Sequence, residues 1–199
     1  MECILSNILF LLLTYLLGSI PFGYLITKYY TGKNILELGS GNVGSTNVKR
    51  IAGKKLSVIT QVLDMFKGLL PIALFLIIDP ITSIPYYIFM LALAAIIGHD
   101  FSLFLKFKGG KGVNTTLGAS LLIAPYAVLI AVGIYFLVKW RFKFVSLGSI
   151  ALAIAMPLTE LIIYGITPSF LYLTICSVLI IFLHRKNIVR LLQGTELPS

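Results

Sequence analysis

Long apolar runs separated by short polar stretches are the dominant pattern of this chain. The runs cover residues 4–27, 56–78, 84–98, 144–164 and 169–183. A helix needs about 20 apolar residues to cross the hydrocarbon core of a bilayer, with a range of about 17–25. Each run is therefore read as a membrane-spanning helix. A sixth run, 113–138, is interrupted by Pro125 and fits either one long tilted helix or two short ones. The chain shows no repeat with a period of about 20–50 residues and no pair of inverted halves.

Charge decides between the two readings of 113–138. Fifteen of the sixteen Lys and Arg residues fall in four polar stretches, 28–55, 106–111, 139–143 and 185–190, and only Lys67 lies inside an apolar run. Membrane chains keep such residues on the cytoplasmic side. Glu2 and Asp79 mark ends without Lys or Arg, which places those ends outside. Two passes through 113–138 return every basic stretch to the inside; one pass puts 139–143 outside. The expectation is an all-α, polytopic integral membrane helix bundle with seven transmembrane helices, the N-terminus outside and the C-terminus cytoplasmic. The two short passes must then tilt or sit in thinned bilayer.

Composition agrees. The chain has 199 residues, 58% hydrophobic and 12% charged, against about a quarter charged in soluble domains. No polar stretch is long enough for a separate soluble domain, so residues 1–199 are read as one integral membrane domain. The net charge of +9 would suit nucleic acid. Its confinement between apolar runs argues instead for topology and for anionic lipid headgroups, with no nucleic-acid partner. Cys3 and Cys176 are isolated among apolar residues and give neither metal spacing nor a disulfide framework. The N-terminus lacks a basic region before its apolar run, so it is read as a first span rather than a cleaved signal.

The polar stretches carry the candidate chemistry. The first contains Gly39-Ser40-Gly41-Asn42-Val43-Gly44-Ser45-Thr46-Asn47-Val48-Lys49-Arg50. Glycines allow close backbone approach, hydroxyls and amides donate neutral hydrogen bonds, and Arg pairs with phosphate oxygens in a fork. The stretch also matches G-x-G-x-x-G, but no strand precedes it and Asp64 lies in a membrane run, so a dinucleotide site is rejected. A Walker loop fails because no Gly-Lys follows at its spacing. The second stretch, Lys108-Gly109-Gly110-Lys111-Gly112-Val113-Asn114, opens a helix, where free N–H groups favour an anion. Ser146 and Ser149 share a helical face, as do His184 and Asn187; a membrane-edge histidine is a candidate proton acceptor near neutral pH. Asp64 and Lys67, three apart inside a span, are expected to pair in the bundle interior as a clamp. His99 and Asp100 are near enough in sequence to orient the glycine-lysine loop. Glu160 receives no role.

Together these segments resemble the bacterial acyl-phosphate:glycerol-3-phosphate acyltransferases of the inner membrane. The resemblance runs nearly end to end, through Gly18-Ser19-Ile20-Pro21-Phe22-Gly23, residues 39–50, 107–113, 146–149 and 184–196. Where the family carries a proline a few residues after its histidine, this chain has Ser102 after His99. The resemblance implies seven transmembrane helices. It also implies transfer of a fatty acyl group from acyl phosphate to the 1-hydroxyl of glycerol 3-phosphate, giving 1-acyl-glycerol 3-phosphate and inorganic phosphate, the first acylation of phospholipid synthesis. The active site would lie at the cytoplasmic face of the inner membrane. The His-x-x-x-x-Asp pair of the other glycerolipid acyltransferase class is absent after both His99 and His184.

For that reaction the candidate catalytic residues are Ser40, Asn47, Arg50, Lys111, His184 and Asn187. The candidate substrate-binding residues are Gly41, Asn42, Gly44, Thr46, Gly109, Gly110, Gly112 and Ser149. Arg50 and Lys111 would neutralise the phosphates; Ser40, Thr46, Asn47 and glycine N–H groups would hydrogen-bond the donor; Ser149, His184 and Asn187 would position glycerol 3-phosphate. Either His184 or a substrate phosphate takes the hydroxyl proton. No cysteine nucleophile is placed for the chemistry, so direct transfer is expected. The inside loops hold no carboxylate cluster, so neither metal nor cofactor is expected. The competing readings are a transporter or flippase for a phosphorylated solute and a lipid-binding scaffold. One-sided motifs disfavour the first, and the neutral Ser, Thr and Asn groups disfavour the second.

Overall fold

The structure, a computed structural model, describes residues 2–78 and 86–197, with side chains from residue 4 onward. Asp79 and Ile84, used above to bound spans, lie outside the described residues, as do the side chains of Glu2 and Cys3. The described residues are helical with no strand, which bears out the all-α expectation. Ten α-helices follow in order: α1 Glu2–Ser19, α2 Phe22–Thr31, α3 Ser45–Ala52, α4 Lys54–Ile78, α5 Tyr87–Asp100, α6 Val113–Ser120, α7 Pro125–Phe142, α8 Val145–Tyr164, α9 Pro168–Leu183 and α10 Arg185–Leu192.

Five stretches among the described residues are long and apolar enough to cross a membrane: Ile4–Thr31, Lys54–Ile78, Tyr87–Leu105, Pro125–Phe142 and Val145–Tyr164. Helices α9 and α10, bent by 58° at His184, form a sixth candidate. The chain is thus a multi-pass integral membrane protein. The run 113–138 is two helices, α6 and α7, broken before Pro125, because proline is preorganised for the first helical position and biases the residue before it away from helical geometry. Of the two, only α7 is long and apolar enough to be a candidate span. Helix α6, at eight residues, rises only about 12 Å. A break the apolar pattern did not predict falls within the first span, at Ile20 and Pro21. Pro21 has no N–H and biases Ile20 away from helical geometry.

The chain divides into two compact units, Met1–Ala119 and Ser120–Ser199. In the first, α1 and α5 run side by side in the same direction: Tyr87 Oη donates to the Asn7 carbonyl at 2.6 Å and Tyr15 Oη to the Phe101 carbonyl at 3.0 Å. Gly18 and Gly98 allow the close approach, since a Cβ at either would strike backbone of the other helix; small residues serve this purpose in membrane bundles. Helix α4 runs the opposite way, with Phe75 against Tyr87 at one end and Ser57 Oγ donating to the Ser45 carbonyl at the other. The polar loops 32–44 and 106–112 therefore share one end of this unit.

In the second unit α7 and α8 form an antiparallel pair turned at Lys143 (φ 65°). Gly165 (φ 77°) ends α8, and the Thr167 side chain caps α9 by accepting from the Phe170 N–H at 3.1 Å. Ser169 Oγ donates to Glu160, which gives that buried carboxylate a structural partner near the α8–α9 turn.

Candidate active site

The first polar loop folds over its own small apolar core of Ile35, Val43 and Val48, with Tyr24, Leu36 and Leu105 packed against it. Asn47 organises the polar side. Its Nδ2 donates to the carbonyls of Ile35, Leu38 and Asn42 at 3.3, 3.0 and 2.9 Å, and its Oδ1 accepts the Ser40 N–H at 3.0 Å. Asn47 is only 1% exposed. Sequence assigned it to the donor phosphate; the structure commits its amide to the loop, so it shapes the site from below. The approach of its Oδ1 needs Gly39, where φ is +59° and a Cβ would collide with that oxygen.

Ser40 and Gly41 lie exposed at the crest of this loop, Arg50 is exposed near the end of α3, and Gly44 and Thr46 are half-buried at its start. Asn42 bridges to the second polar loop: its Oδ1 accepts the Gly44 N–H at 2.8 Å while its Nδ2 donates to the Gly109 carbonyl at 3.1 Å. A second bridge runs from Asn114 Nδ2 to Ser45 Oγ at 3.3 Å. The two candidate loops are thus joined twice, and the second bridge uses two residues, Ser45 and Asn114, that sequence alone left without a role.

The glycine-lysine loop rests on the end of α5. The Gly110 N–H donates to the His99 carbonyl at 3.0 Å. A Cβ at Gly109 would meet the His99 and Asp100 carbonyls, one at Gly110 would enter the His99 ring, and one at Gly112 (φ +75°) would lie 3.1 Å from both Asp100 carboxylate oxygens. His99 and Asp100 therefore orient this loop, as their position suggested. Lys111, half-buried, sits between the two constrained glycines. The Asp64–Lys67 clamp is present too, with 3.0 Å between Nζ and Oδ1 and both residues 2% exposed.

In the second unit the α9–α10 bend carries His184 and Asn187, both buried. His184 Nδ1 lies 2.8 Å from the Ile180 carbonyl. A carbonyl only accepts, so Nδ1 holds the hydrogen of the neutral ring and Nε2 the lone pair. Asn187 Nδ2 donates to Glu196 Oε1 at 2.7 Å, Ser146 Oγ to the same oxygen at 2.9 Å, and Arg190 Nε to Oε2 at 2.7 Å. Gly194 (φ +67°) turns the chain so that Glu196 can return to this point. Burial pushes the Glu196 carboxyl up, but hydrogen bonds from Asn187, Arg190 and Ser146 and the Arg190 charge outweigh it and hold the carboxyl below its ordinary range. The hub role of Glu196 was invisible in the spacing. Ser149, buried, donates to the Val145 carbonyl of its own helix at 3.0 Å.

Two glycine-rich, hydroxyl- and cation-bearing loops on a helical frame define a multi-pass membrane protein with a polar loop cluster at one end of its first unit. The sequence profile described as glycerol-3-phosphate acyltransferase matches residues 8–194. Curated glycerol-3-phosphate acyltransferases of Clostridium acetobutylicum and Syntrophotalea carbinolica are similar to this chain. The first is 43% identical over 197 residues, 95% of this chain and 98% of that protein. The second is 42% identical over 193 residues, 96% of each. The crystal structure of PlsY (YgiH), an integral membrane glycerol 3-phosphate acyltransferase, in its glycerol 3-phosphate form superposes with a TM-score of 0.90 at 36% identity, covering 98% of this chain and 96% of that one. Its lysophosphatidic acid form gives 0.87 at 35% identity, covering 97% and 95%. The chain belongs to the glycerol-3-phosphate acyltransferase family, and is an enzyme of the acyltransferase class.

Proposed function

We propose that this protein transfers a fatty acyl group from acyl phosphate to the 1-hydroxyl of glycerol 3-phosphate. The hydroxyl oxygen attacks the acyl carbonyl, the carbonyl–phosphate bond breaks, and inorganic phosphate leaves with 1-acyl-glycerol 3-phosphate as the other product. The observation that carries this reading is the pair of phosphate-type loops held together by the Asn42–Gly109 and Ser45–Asn114 hydrogen bonds. The family membership supplies the acceptor, and the resemblance supplies the donor.

Both substrates carry phosphate and the donor carbonyl is already activated. The enzyme's task is to neutralise charge, align the hydroxyl and stabilise the developing oxyanion. Arg50 and Lys111 neutralise the phosphates. Ser40, Thr46 and the N–H groups of Gly109 and Gly112 hydrogen-bond the donor. The N–H groups of Gly41, Gly44 and Gly110 are committed to the Leu38 carbonyl, Asn42 Oδ1 and the His99 carbonyl, so these glycines serve by letting the backbone come close, on a loop shaped by Asn42 and Asn47. Ser149, His184 and Asn187 position glycerol 3-phosphate. His184 Nε2 takes the hydroxyl proton.

The chain works as a single domain in the bacterial inner membrane with its site at the cytoplasmic face. Seven crossings, N-terminus outside and C-terminus inside, satisfy the charge rule, with α6 as a short pass. Its contact with α4 supports this: a Cβ at Gly118 would strike the Met65 carbonyl, which is 11 residues into α4 and about 16 Å from that helix's start at 1.5 Å per residue. Helix α6 thus sits deep along α4. Labelling of a cysteine introduced beside Pro125 from the outside is the expected result; cytoplasmic-only labelling contradicts the short pass.

The decisive experiment is phosphate release by purified protein given palmitoyl phosphate, with and without glycerol 3-phosphate. Release that requires glycerol 3-phosphate and equals lysophosphatidic acid formed is expected. No release from folded protein rejects the reading and turns attention to flux of phosphorylated solutes in vesicles.

A further inference from the structure

The buried charges inside the first unit have no part in the chemistry just described, yet they lie in one connected chain. Lys67 Nζ donates to the Ile20 carbonyl at 2.9 Å, the carbonyl exposed where Pro21 breaks the first span. Its ammonium also lies 5.6 Å from the Phe22 ring centroid. Asp64 Oδ1 is 3.0 Å from Lys67 Nζ and 3.6 Å from His99 Nδ1. The ring of His99 covers Gly110, and its carbonyl accepts the Gly110 N–H at 3.0 Å. Ser102 adds a tie between the same segments: its Oγ donates to the Ser19 carbonyl at 2.6 Å.

A buried ion pair is weak evidence for stability, since desolvation offsets its attraction. The direction of these contacts is more informative. They begin at the α1–α2 break and end on the two residues that carry Gly109, Gly110 and Gly112. Lys111 is the only side chain longer than hydrogen between Gly109 and Gly112, so the peptide orientation on either side of it fixes where its ammonium goes.

Resting on the acyltransferase reading, we infer that Asp64, Lys67 and His99 are positioning residues for Lys111, acting through the glycine loop. A misplacement of about 1 Å at a reacting centre costs about 100-fold in rate, so this chain need not touch substrate to govern turnover. Lys67 holds the loop's support against the first span, Asp64 relays that constraint, and the His99 ring and carbonyl set the Gly110 peptide.

The test is a double-mutant cycle on the full-length protein, assayed with radiolabelled glycerol 3-phosphate. K67M alone leaves Asp64 buried and unpaired, so the charge-neutral D64N/K67M protein is read beside it, with folding checked by size exclusion and helix content. Expected is a 10- to 100-fold fall in kcat/KM in folded protein, and no further loss when either change is added to K111A. Non-additivity of that kind marks residues acting through one another; a general structural role gives additive losses. Near-normal turnover, additive losses, or failure of both proteins to fold overturns the inference. Wild-type protein that forms no lysophosphatidic acid overturns the acyltransferase reading itself, whereas active wild type with active D64N/K67M overturns this inference alone.

Discussion

Two polar regions of the molecule, the loop over Asn47 and the segment around Glu196, solve the same problem with opposite chemistry. Each gathers several elements onto one buried side chain. Asn47 does so as a neutral amide, giving two N–H bonds' worth of donors to three carbonyls and accepting one N–H. Glu196 does so as a carboxylate, accepting from Ser146, Asn187 and Arg190. The partners explain the choice. The loop presents mostly carbonyl oxygens, which need a donor, while the α8 and α10 groups are all donors, one of them cationic, and need an anion. A neutral hub keeps its shape at any pH. A charged hub is stronger per bond and depends on ionisation.

The comparison also separates residues that shape a site from residues that face its ligand, and the largest effects should come from the second kind. K111A and R50A are each expected to lower kcat/KM by at least about 100-fold, the cost of removing one charge-stabilising donor, with thermal unfolding unchanged. Near-normal rates in both would remove the phosphate clamp. H184A is expected to lose about 100-fold through the missing base and to flatten the pH–rate profile near neutrality. Retained activity with a flat profile would pass the proton to a substrate phosphate.

Changes at the hubs should act on stability first. N47A leaves buried carbonyls without donors and is expected to destabilise by about 2–4 kcal/mol, read by thermal unfolding in detergent. N47D keeps the size but removes the donors, and should be as harmful. E196Q is the mildest: it keeps one acceptor oxygen and loses the Arg190 charge interaction, for about 1–2 kcal/mol.

Acid distinguishes the hubs more sharply than substitution does. The folded Glu196 carboxyl sits below its ordinary range, so the folded state binds that proton less readily than the unfolded chain. Its stabilising contribution is complete above the unfolded value of about 4.3 and is lost as pH falls through the folded value. Wild-type protein should therefore lose stability between about pH 5 and pH 3 more steeply than E196Q, while N47A should track the wild-type slope. Equal slopes in wild type and E196Q would show that the Glu196 charge is not what holds the segment.

The amino-acid sequence by itself determined the membrane class, the helical runs, a break at Pro125 once charge was weighed, and the two glycine-rich polar loops. These follow from hydropathy, proline and glycine chemistry and charge placement, which act over a few residues or over the bilayer thickness. The same local logic would have allowed the break at Ile20 and Pro21, had the apolar run not masked it. Only the tertiary structure decided that Asn42 meets Gly109, 67 positions away, that Lys67 meets Ile20, and that Glu196 returns to Ser146. It also turned the Asn47 amide inward rather than toward a ligand. Such pairings depend on which backbone groups packing leaves without partners, and a buried group must find one wherever the fold places it. That demand is settled by contacts distant in the chain, where spacing carries no signal.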